Sequence, residues 1–431
     1  MSVFNSCRPF LIDKQRSYSL AEVGSIATHI QQQLILHGIK EHQSVAIAPS
    51  LSFKSICVLI ACLLRGNRVF IVSHRESIFR TRAWLAKLGC YHFLTDDKNL
   101  DFSAQGAIPK RIPPYGQTIF CTSGSTSNPK AVLHSISAHE ASAQAVCNHL
   151  KLYRARWLLN LPLFHVGGFS IIIRALKSES ALVLDEQWQL TTHASLVPTQ
   201  LNKQLNSTAG LRALRNTHII LGGATINPML IQRAHEKGVT VTCSYGSTET
   251  ASQVAVGHNN KLRALPHAHF RISENGELLL KAKSLAKGYL DSRGLGEVTD
   301  EDGWYATGDR AILSHQELRI LGRCDNMMIS GGENIYPEEI ELALMSYTGL
   351  FEAVVIPIND THFGQRPVAI IKMHGAIDEK KLIKHLSSLL ARYKIPDRFI
   401  AWPTDLPNSF KISRPQFCAW YRSLGLPNVS Q

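Results

Sequence analysis

The sequence predicts an α/β protein in two parts, a large N-terminal domain and a small α+β C-terminal one, and three observations carry that prediction. The chain has 431 residues, beyond the ~250–300 at which one hydrophobic core stops growing, so at least two domains are expected. Apolar runs of strand type alternate with helical periodicity, read strand by strand to residue 243, and these repeated βα units argue for an α/β sheet domain over most of the chain. After Gly322 the texture changes to helix, two strands and helix, enough for a compact second domain of roughly a hundred residues.

In order, Ser19-Leu20-Ala21-Glu22 matches a capping box, and Leu20, Val23, Ile26, Ala27, Ile30 and Leu34 continue at helical spacing to Gly38. Residues 44–47 (SVAI) then read as a strand, 53–64 as a buried helix and 68–72 (RVFIV) as a strand. Further strands are expected at 118–120, 131–133, 157–161 (WLLNL), 181–184 (ALVL) and 218–221 (HIIL), the last running into Gly222-Gly223. A helix ending near Gly238 leads into a strand at 239–243 (VTVTC). Beyond the change of texture, 337–345 reads as a helix, 351–356 and 367–373 as strands, and 379–390 as a helix. Arg323-Cys324-Asp325-Asn326 is the expected junction, dividing the chain into 1–322, 323–326 and 327–431.

Composition narrows the function classes. Hydrophobic residues make up 45% and charged residues 18%, ordinary for a folded globular protein. The longest apolar stretch, 56–64, ends at Arg65, far short of the ~20 residues that cross a bilayer, so no stable membrane insertion is expected. The start, MSVFNSCRPFLIDKQRS, has no apolar segment after a basic one, so no secretory signal is expected. Nine cysteines are scattered singly with no CxxC pair, which fits reduced thiols in a cytoplasmic protein and offers no zinc site. The formal net charge of +13 favours anionic partners. The basic residues are dispersed, with no zinc-finger spacing or aromatic-rich RNA motif, so the charge alone is no case for nucleic acid. Nucleotides, pyrophosphate and coenzyme A are anions too. A homo-oligomer is compatible with all of this and not required by it.

The stretch TSGSTSNPK, 122–130, crowds hydroxyls, a glycine and a lysine between two apolar runs. It is not a Walker A loop: Gly124 has no second glycine before Lys130, and a strand follows instead of a helix. Backbone N–H groups and the hydroxyls of Thr122, Ser123, Ser125, Thr126 and Ser127 can nevertheless wrap phosphates, with Gly124 admitting close approach and Lys130 adding charge. A surface turn stopped by Pro129 is the plainer alternative. Tyr245-Gly246-Ser247-Thr248-Glu249 follows the 239–243 strand, at the end where open α/β sheets bind ligands. An aromatic there can stack on a base, Thr248 can bind a phosphate oxygen and Glu249 can hold Mg²⁺; a glycine turn with a solvated glutamate reads equally well. Asp309 follows Gly308 in an expected tight turn, able to accept two ribose hydroxyls or simply to cap the turn. Residues 322–341 carry a double glycine, Gly331-Gly332, and open a helix at Pro337. Lys411, in PNSFKISR, is by itself an ordinary solvated lysine.

In this order and at these separations the five segments resemble the adenylate-forming superfamily of acyl-CoA synthetases, luciferases and peptide-synthetase adenylation domains, over nearly the whole chain. Within it, LPLFHVGG at 161–168, THASLVPTQL at 192–201, FGQRPVA at 363–369 and KISR at 411–414 are most similar to the 2-succinylbenzoate–CoA ligases of menaquinone and phylloquinone biosynthesis. The resemblance implies layered α/β sheets in the large domain and a mobile C-terminal lid. It also implies ATP-dependent ligation of 2-succinylbenzoate to coenzyme A through an acyl-adenylate, with Mg²⁺. An acyl-CoA synthetase for another aryl or fatty acid is the alternative.

The resemblance further implies that Thr122, Ser123, Gly124, Ser125, Thr126 and Lys130 contact the ATP phosphates. Gly222, Gly223, Ala224, Tyr245 and Gly246 would frame the adenine and acyl pocket. Thr248 would contact the α-phosphate, Glu249 the metal, and Asp309 and Arg323 the ribose. Asp325 is the implied hinge, and Lys411 the lysine that reaches the carboxylate and α-phosphate. His165 would lie near the acyl pocket, and Arg174 would hold a substrate carboxylate with Ser195 beside it. Ser127 and Phe410 stand where relatives often carry glycine. A catalytically silent relative would be expected to have lost one of Lys411, Glu249, Asp309 and Arg323; all four are present.

Overall fold

The computed structural model describes residue 4 and residues 6–75, 77–94, 100, 102, 106–107, 116–122, 130–258, 261–404 and 414–426. Its strands form three sheets. One is built from the first βα repeats: Ser44–Ile47, Arg68–Ile71 and Gln117–Thr122 run parallel, with His92–Leu94 outside Ser44–Ile47. Gln117–Thr122 pairs antiparallel with Lys130–Ser135, setting Thr122 opposite Lys130 and Thr118 opposite His134. Gly288–Asp291 and Gly294–Gly296 complete that side.

The larger sheet has two halves. Ala181–Val183, Arg156–Leu158, His193–Leu196, His218–Leu221 and Val241–Ser247 are parallel neighbours. From Val241–Ser247 onward the pairing is antiparallel, through Ser252–His258, Lys261–Ala264, Glu317–Arg323, Tyr305–Ser314, Glu277–Ala282 and Ala268–Ile272.

Helices Leu20–Leu36, Phe53–Leu64, Ile136–His149 and Val166–Lys177 lie between these two sheets. One apolar core joins Leu34, Leu59, Val146 and Phe169 of the helices to Ile47 and Ile71 of the first sheet and to Trp157 and Leu182 of the second. Phe53–Leu64 is buried almost all round, as its unbroken apolar run requires. Leu20–Leu36 starts at the expected capping box, with Glu22 N donating to Ser19 Oγ at 3.1 Å and Ser19 N to Glu22 Oε2 at 2.7 Å. Pro198–Leu205, Thr208–Arg215 and Pro228–Glu236 cover the far face of the larger sheet, and Ile78–Lys87 that of the first.

The third sheet centres on Gly364–Met373, flanked by Leu350–Asp360 antiparallel and Arg398–Ala401 parallel, with the hairpin Met328–Ser330 and Glu333–Ile335 at one end. Pro337–Met345 and Glu379–Ser387 pack on one face and Arg414–Ser423 on the other.

The architecture is the layered α/β fold with an α+β C-terminal part that the sequence predicts, but three expectations are corrected. Tyr245, Gly246 and Ser247 do not follow a strand: they are the end of Val241–Ser247, held there because Ser252–His258 folds back and pairs Tyr245 with Ala255 and Gly246 with Gln253. Asp309 is not in a tight turn but inside Tyr305–Ser314, opposite Arg323. The βα repeat also stops at residue 247, and the antiparallel half lacks the continuous apolar runs of buried parallel strands because it can face water. Among the described residues, no helix is long and apolar enough to cross a membrane.

Candidate active site

Thr248 and Glu249 sit in the turn between Val241–Ser247 and Ser252–His258 of the larger sheet, and the first sheet reaches across to them. Tyr289 Oη donates to Glu249 Oε1 at 3.1 Å, Ala286 N donates to Glu249 O at 2.7 Å, and His134 Nε2 lies 2.7 Å from Thr248 O. The Lys130 ammonium lies 5.4 Å from the centre of the Tyr289 ring. One tyrosine therefore touches both the lysine that ends the hydroxyl-rich loop and the carboxylate expected at the metal. Burial, and next the Glu249 charge, raise the Tyr289 phenol, so it stays a protonated donor. Ser123, Gly124, Ser125, Thr126 and Ser127 lie outside the described residues, while Thr122 and Lys130 are paired at the two ends of that loop.

A second chain of contacts runs through Asp309. Tyr245 Oη donates to Asp309 Oδ2 at 2.5 Å, and Arg323 Nη1 stands 3.4 Å from Oδ1 while donating to Thr307 O at 2.9 Å. The other side of the Arg323 guanidinium grips both oxygens of Asp325, at 3.1 and 3.2 Å. Burial raises the Asp309 carboxyl above its usual range, against the pull of the Tyr245 hydroxyl and Arg323. Gly308 adopts φ +71°, and a Cβ there would come within 2.7 Å of the Arg323 guanidinium; glycine is what lets the arginine lie over this strand. Asp325 belongs to the short 3₁₀ turn Cys324–Asn326 that leads into the third sheet.

Gly222 is wedged under Ser244, whose Oγ would be 2.5 Å from an added Cβ. The exposed Gly223 and Ala224 open on a crevice of about 630 Å³ between the larger sheet's helices and the C-terminal part, shared with Arg323, Leu342 and Arg414. Lys411 and Phe410 lie outside the described residues. Arg414, just beyond them, is pinned by Glu338 Oε1 at 3.2 Å, Glu341 Oε1 at 2.5 Å and Val355 O at 2.9 Å. Glu338 Oε1 also accepts from Asn326 Nδ2 at 2.5 Å, which ties the end of the Lys411 segment to the junction turn.

Arg174 is 1% exposed. Its Nη2 donates to Ser170 Oγ at 2.9 Å, both Nη atoms reach Ser195 Oγ at 3.4 Å, and Nε donates to Ser170 O at 3.2 Å. The guanidinium lies 4.6 Å over the Trp157 ring. Among the described residues no carboxylate pairs with it. Burial lowers it to about 10, so it remains a cation at neutral pH. Ser195 is thus brought to Arg174 as expected. His165 is not: it is the exposed N-cap residue of the same helix, its ring 4.6 Å from that of Phe164, and a helix places residues that far apart by about 13 Å.

Among the described residues no three His, Cys, Asp or Glu side chains cluster as a metal cage. Glu249 would therefore offer Mg²⁺ a single hard carboxylate, a fit for an ion that keeps water and substrate phosphates in its shell. Of the contacts the sequence did not announce, Ser170 stands one helical turn before Arg174 and was readable from that spacing. Tyr289 and His134 act from one sheet to the other and Trp157 from a strand to a helix, which leaves no local signal.

Residues 116–290 match the AMP-binding enzyme family, and 339–409 match the AMP-binding enzyme C-terminal domain. The chain is similar to the 2-succinylbenzoate–CoA ligase of Salmonella typhimurium, 35% identical over 89% of this chain and 88% of that one. It superposes on an arginine-to-lysine variant of Escherichia coli MenE with bound OSB-AMS, at TM-score 0.85 and 30% identity over 97% of this chain and 96% of that one. It is also similar to o-succinylbenzoate CoA synthetase of Bacillus subtilis in complex with the acyl-adenylate intermediate OSB-AMP, at TM-score 0.83 and 26% identity over 95% of each chain. The same B. subtilis protein has been seen with ATP and a magnesium ion.

Proposed function

The chain belongs to the AMP-binding enzyme family, among its 2-succinylbenzoate–CoA ligases, and from that premise we propose how its own residues divide the work. The enzyme joins 2-succinylbenzoate to coenzyme A at the expense of ATP, through an acyl-adenylate, releasing pyrophosphate and then AMP, in menaquinone biosynthesis.

In the first half-reaction a carboxylate oxygen attacks the α-phosphorus and pyrophosphate leaves. Two anions must meet, so the protein's part is charge neutralisation and alignment. Lys130 and the hydroxyl loop hold the leaving pyrophosphate, Thr248 the α-phosphate, and Asp309 with Arg323 the ribose. Gly222, Gly223, Ala224 and Tyr245 frame the adenine, and Lys411 bridges the acid's carboxylate and the α-phosphate. Glu249 would hold Mg²⁺, which supplies further positive charge to the phosphates when bound. In the second half-reaction the sulfur of coenzyme A attacks the acyl carbon and AMP departs. Rotation about Asp325 withdraws Lys411 and brings Gly331-Gly332 to the pantetheine path. The crevice at the junction and the Arg323–Asp325 grip support this account.

Arg174 carries the substrate reading. 2-Succinylbenzoate has two carboxylates and only one is activated, so the other needs a cation, and a guanidinium with no carboxylate partner among the described residues stands beside Ser195. Arg174→Ala is expected to raise KM for the diacid at least ~10-fold, the worth of a lost charged hydrogen bond, and to leave KM for MgATP unchanged. An unchanged KM for the diacid would remove Arg174 from the pocket.

A further inference from the structure

Glu249 and Lys130 belong to different sheets, and the phosphates can be held between them only if the two sheets keep a fixed separation at that point. We infer that His134 and Tyr289 are positioning residues that fix it: His134 anchors the Thr248 carbonyl and Tyr289 the Glu249 carboxylate to the sheet that carries the phosphate loop. This rests on the reading of Lys130 as a phosphate ligand and Glu249 as the metal carboxylate.

His134 is fully buried, its ring 4.9 Å from that of His139 and 6.5 Å from that of Phe120. Its Nε2 faces a carbonyl oxygen at 2.7 Å, which can only accept, so Nε2 carries the proton. Burial holds the imidazole at about 4, so the ring is neutral at neutral pH and Nδ1 is an acceptor. That Nδ1 has no partner among the described residues. A leucine would fill the same apolar space without orphaning a nitrogen; what it would lack is the donor to Thr248. His134 and Lys130 lie on one strand, and Thr118 and Thr122 face them on its partner. The anchor and the loop end are therefore separated by about 13 Å of rigid strand. His139 Nε2 lies 2.7 Å from Thr118 Oγ1, bracing the same hairpin from the helix side. Tyr289 pairs with Val132 on the next strand, so both anchors come from one sheet and end on one turn of the other. Misplacing a reacting group by an ångström is enough to lower a rate many-fold.

The test uses full-length protein and three variants. His134→Leu removes the donor and keeps the volume, His134→Gln keeps an N–H of similar reach, and Tyr289→Phe removes one hydroxyl. MgATP affinity by calorimetry, ATP–pyrophosphate exchange driven by 2-succinylbenzoate, KM for coenzyme A and Tm are measured for each. His134→Leu and Tyr289→Phe are expected to weaken MgATP binding about 10-fold and slow exchange, with KM for coenzyme A within about 2-fold of the parent and His134→Gln largely restored. Variants that melt cooperatively at lower Tm but bind MgATP as the parent does would show a merely structural role and overturn the inference. Should His134→Leu fail to fold, Tyr289→Phe decides by the same criterion. A parent protein that binds no MgATP would overturn the functional reading together with this one, whereas normal binding in both variants overturns this one alone.

Discussion

Sealed from water on the helix Val166–Lys177, Arg174 keeps its N–H groups on Ser170 and Ser195 and its plane on Trp157. Hydroxyls and a ring compensate a buried charge only partly, and an ion held without a counter-ion costs several kcal/mol. The substrate's spare carboxylate would offset that cost when it binds. Arg174→Met keeps length and apolar contact while deleting the charge, so Tm is expected to rise by about a degree, on the order of a 1 kcal/mol gain, even as activity with the diacid collapses. A fall in Tm would mean the arginine is structural. Asp309, the proposed ribose ligand, presents a different case, because Tyr245 and Arg323 already occupy its two oxygens and a ribose bound there would have to share or displace them. Asp309→Asn is expected to raise KM for ATP about 10-fold without altering KM for the diacid; comparison of the two KM values checks it. The charged type of Arg174 and the string around it were legible in the sequence. Its stacking on Trp157 was not, since that contact joins a helix to a strand of the sheet beneath it.

Val241–Ser247 is the strand on which the larger sheet changes from parallel to antiparallel pairing, and it carries Tyr245 and Gly246 at its end. At Gly246 an added Cβ would collide with the carbonyl of Ser252 on the neighbouring strand. Gly246→Ala should therefore destabilise by ~1–3 kcal/mol, the usual cost of forcing atoms into packed space; denaturant unfolding measures it, and a change below about 0.5 kcal/mol would contradict the register. This element also shows where sequence reading runs out. The run Tyr-Gly-Ser-Thr-Glu has the composition of a turn, and only pairing with residues that come later in the chain makes most of it strand. Asp309 was misplaced for the same reason, its strand being defined by Arg323 opposite. Where local pattern and burial agree, as in Phe53–Leu64 and Pro337–Met345, the expected boundaries hold.

At the scale of the whole chain, the proposed rotation of the C-terminal part about the Cys324–Asn326 turn would give one site two jobs, and Lys411 is the proposed residue that tells them apart. Lys411→Ala is expected to slow adenylate formation at least ~100-fold, the order of one lost transition-state charge, while thiolysis of a supplied acyl-adenylate stays near normal; equal losses in both would contradict the rotation about Asp325. The interior also sets a pH limit. Burial holds His134, His193 and His267 at about 4 and depresses His139 and His218, against an ordinary value of 6.5. Unfolded, these rings take up protons near pH 6.5; folded, all five resist, and His134, His193 and His267 do so until near pH 4, so the unfolded state binds more protons in between. Their contribution to stability is complete above pH 6.5 and is lost as pH falls toward 4; Tm should decline steadily over that window, and a flat profile would contradict the burial. Fold class and reaction were legible because motifs keep their order along the chain, whereas the clamp of His134 and Tyr289 on Thr248–Glu249 exists only between sheets. The central claim is the acid and what becomes of it. Purified protein with MgATP and coenzyme A, offered 2-succinylbenzoate, benzoate and a medium-chain fatty acid in parallel with products read by mass spectrometry, should yield a coenzyme A thioester, AMP and pyrophosphate from 2-succinylbenzoate alone. A thioester from benzoate or the fatty acid, with none from the diacid, would contradict it.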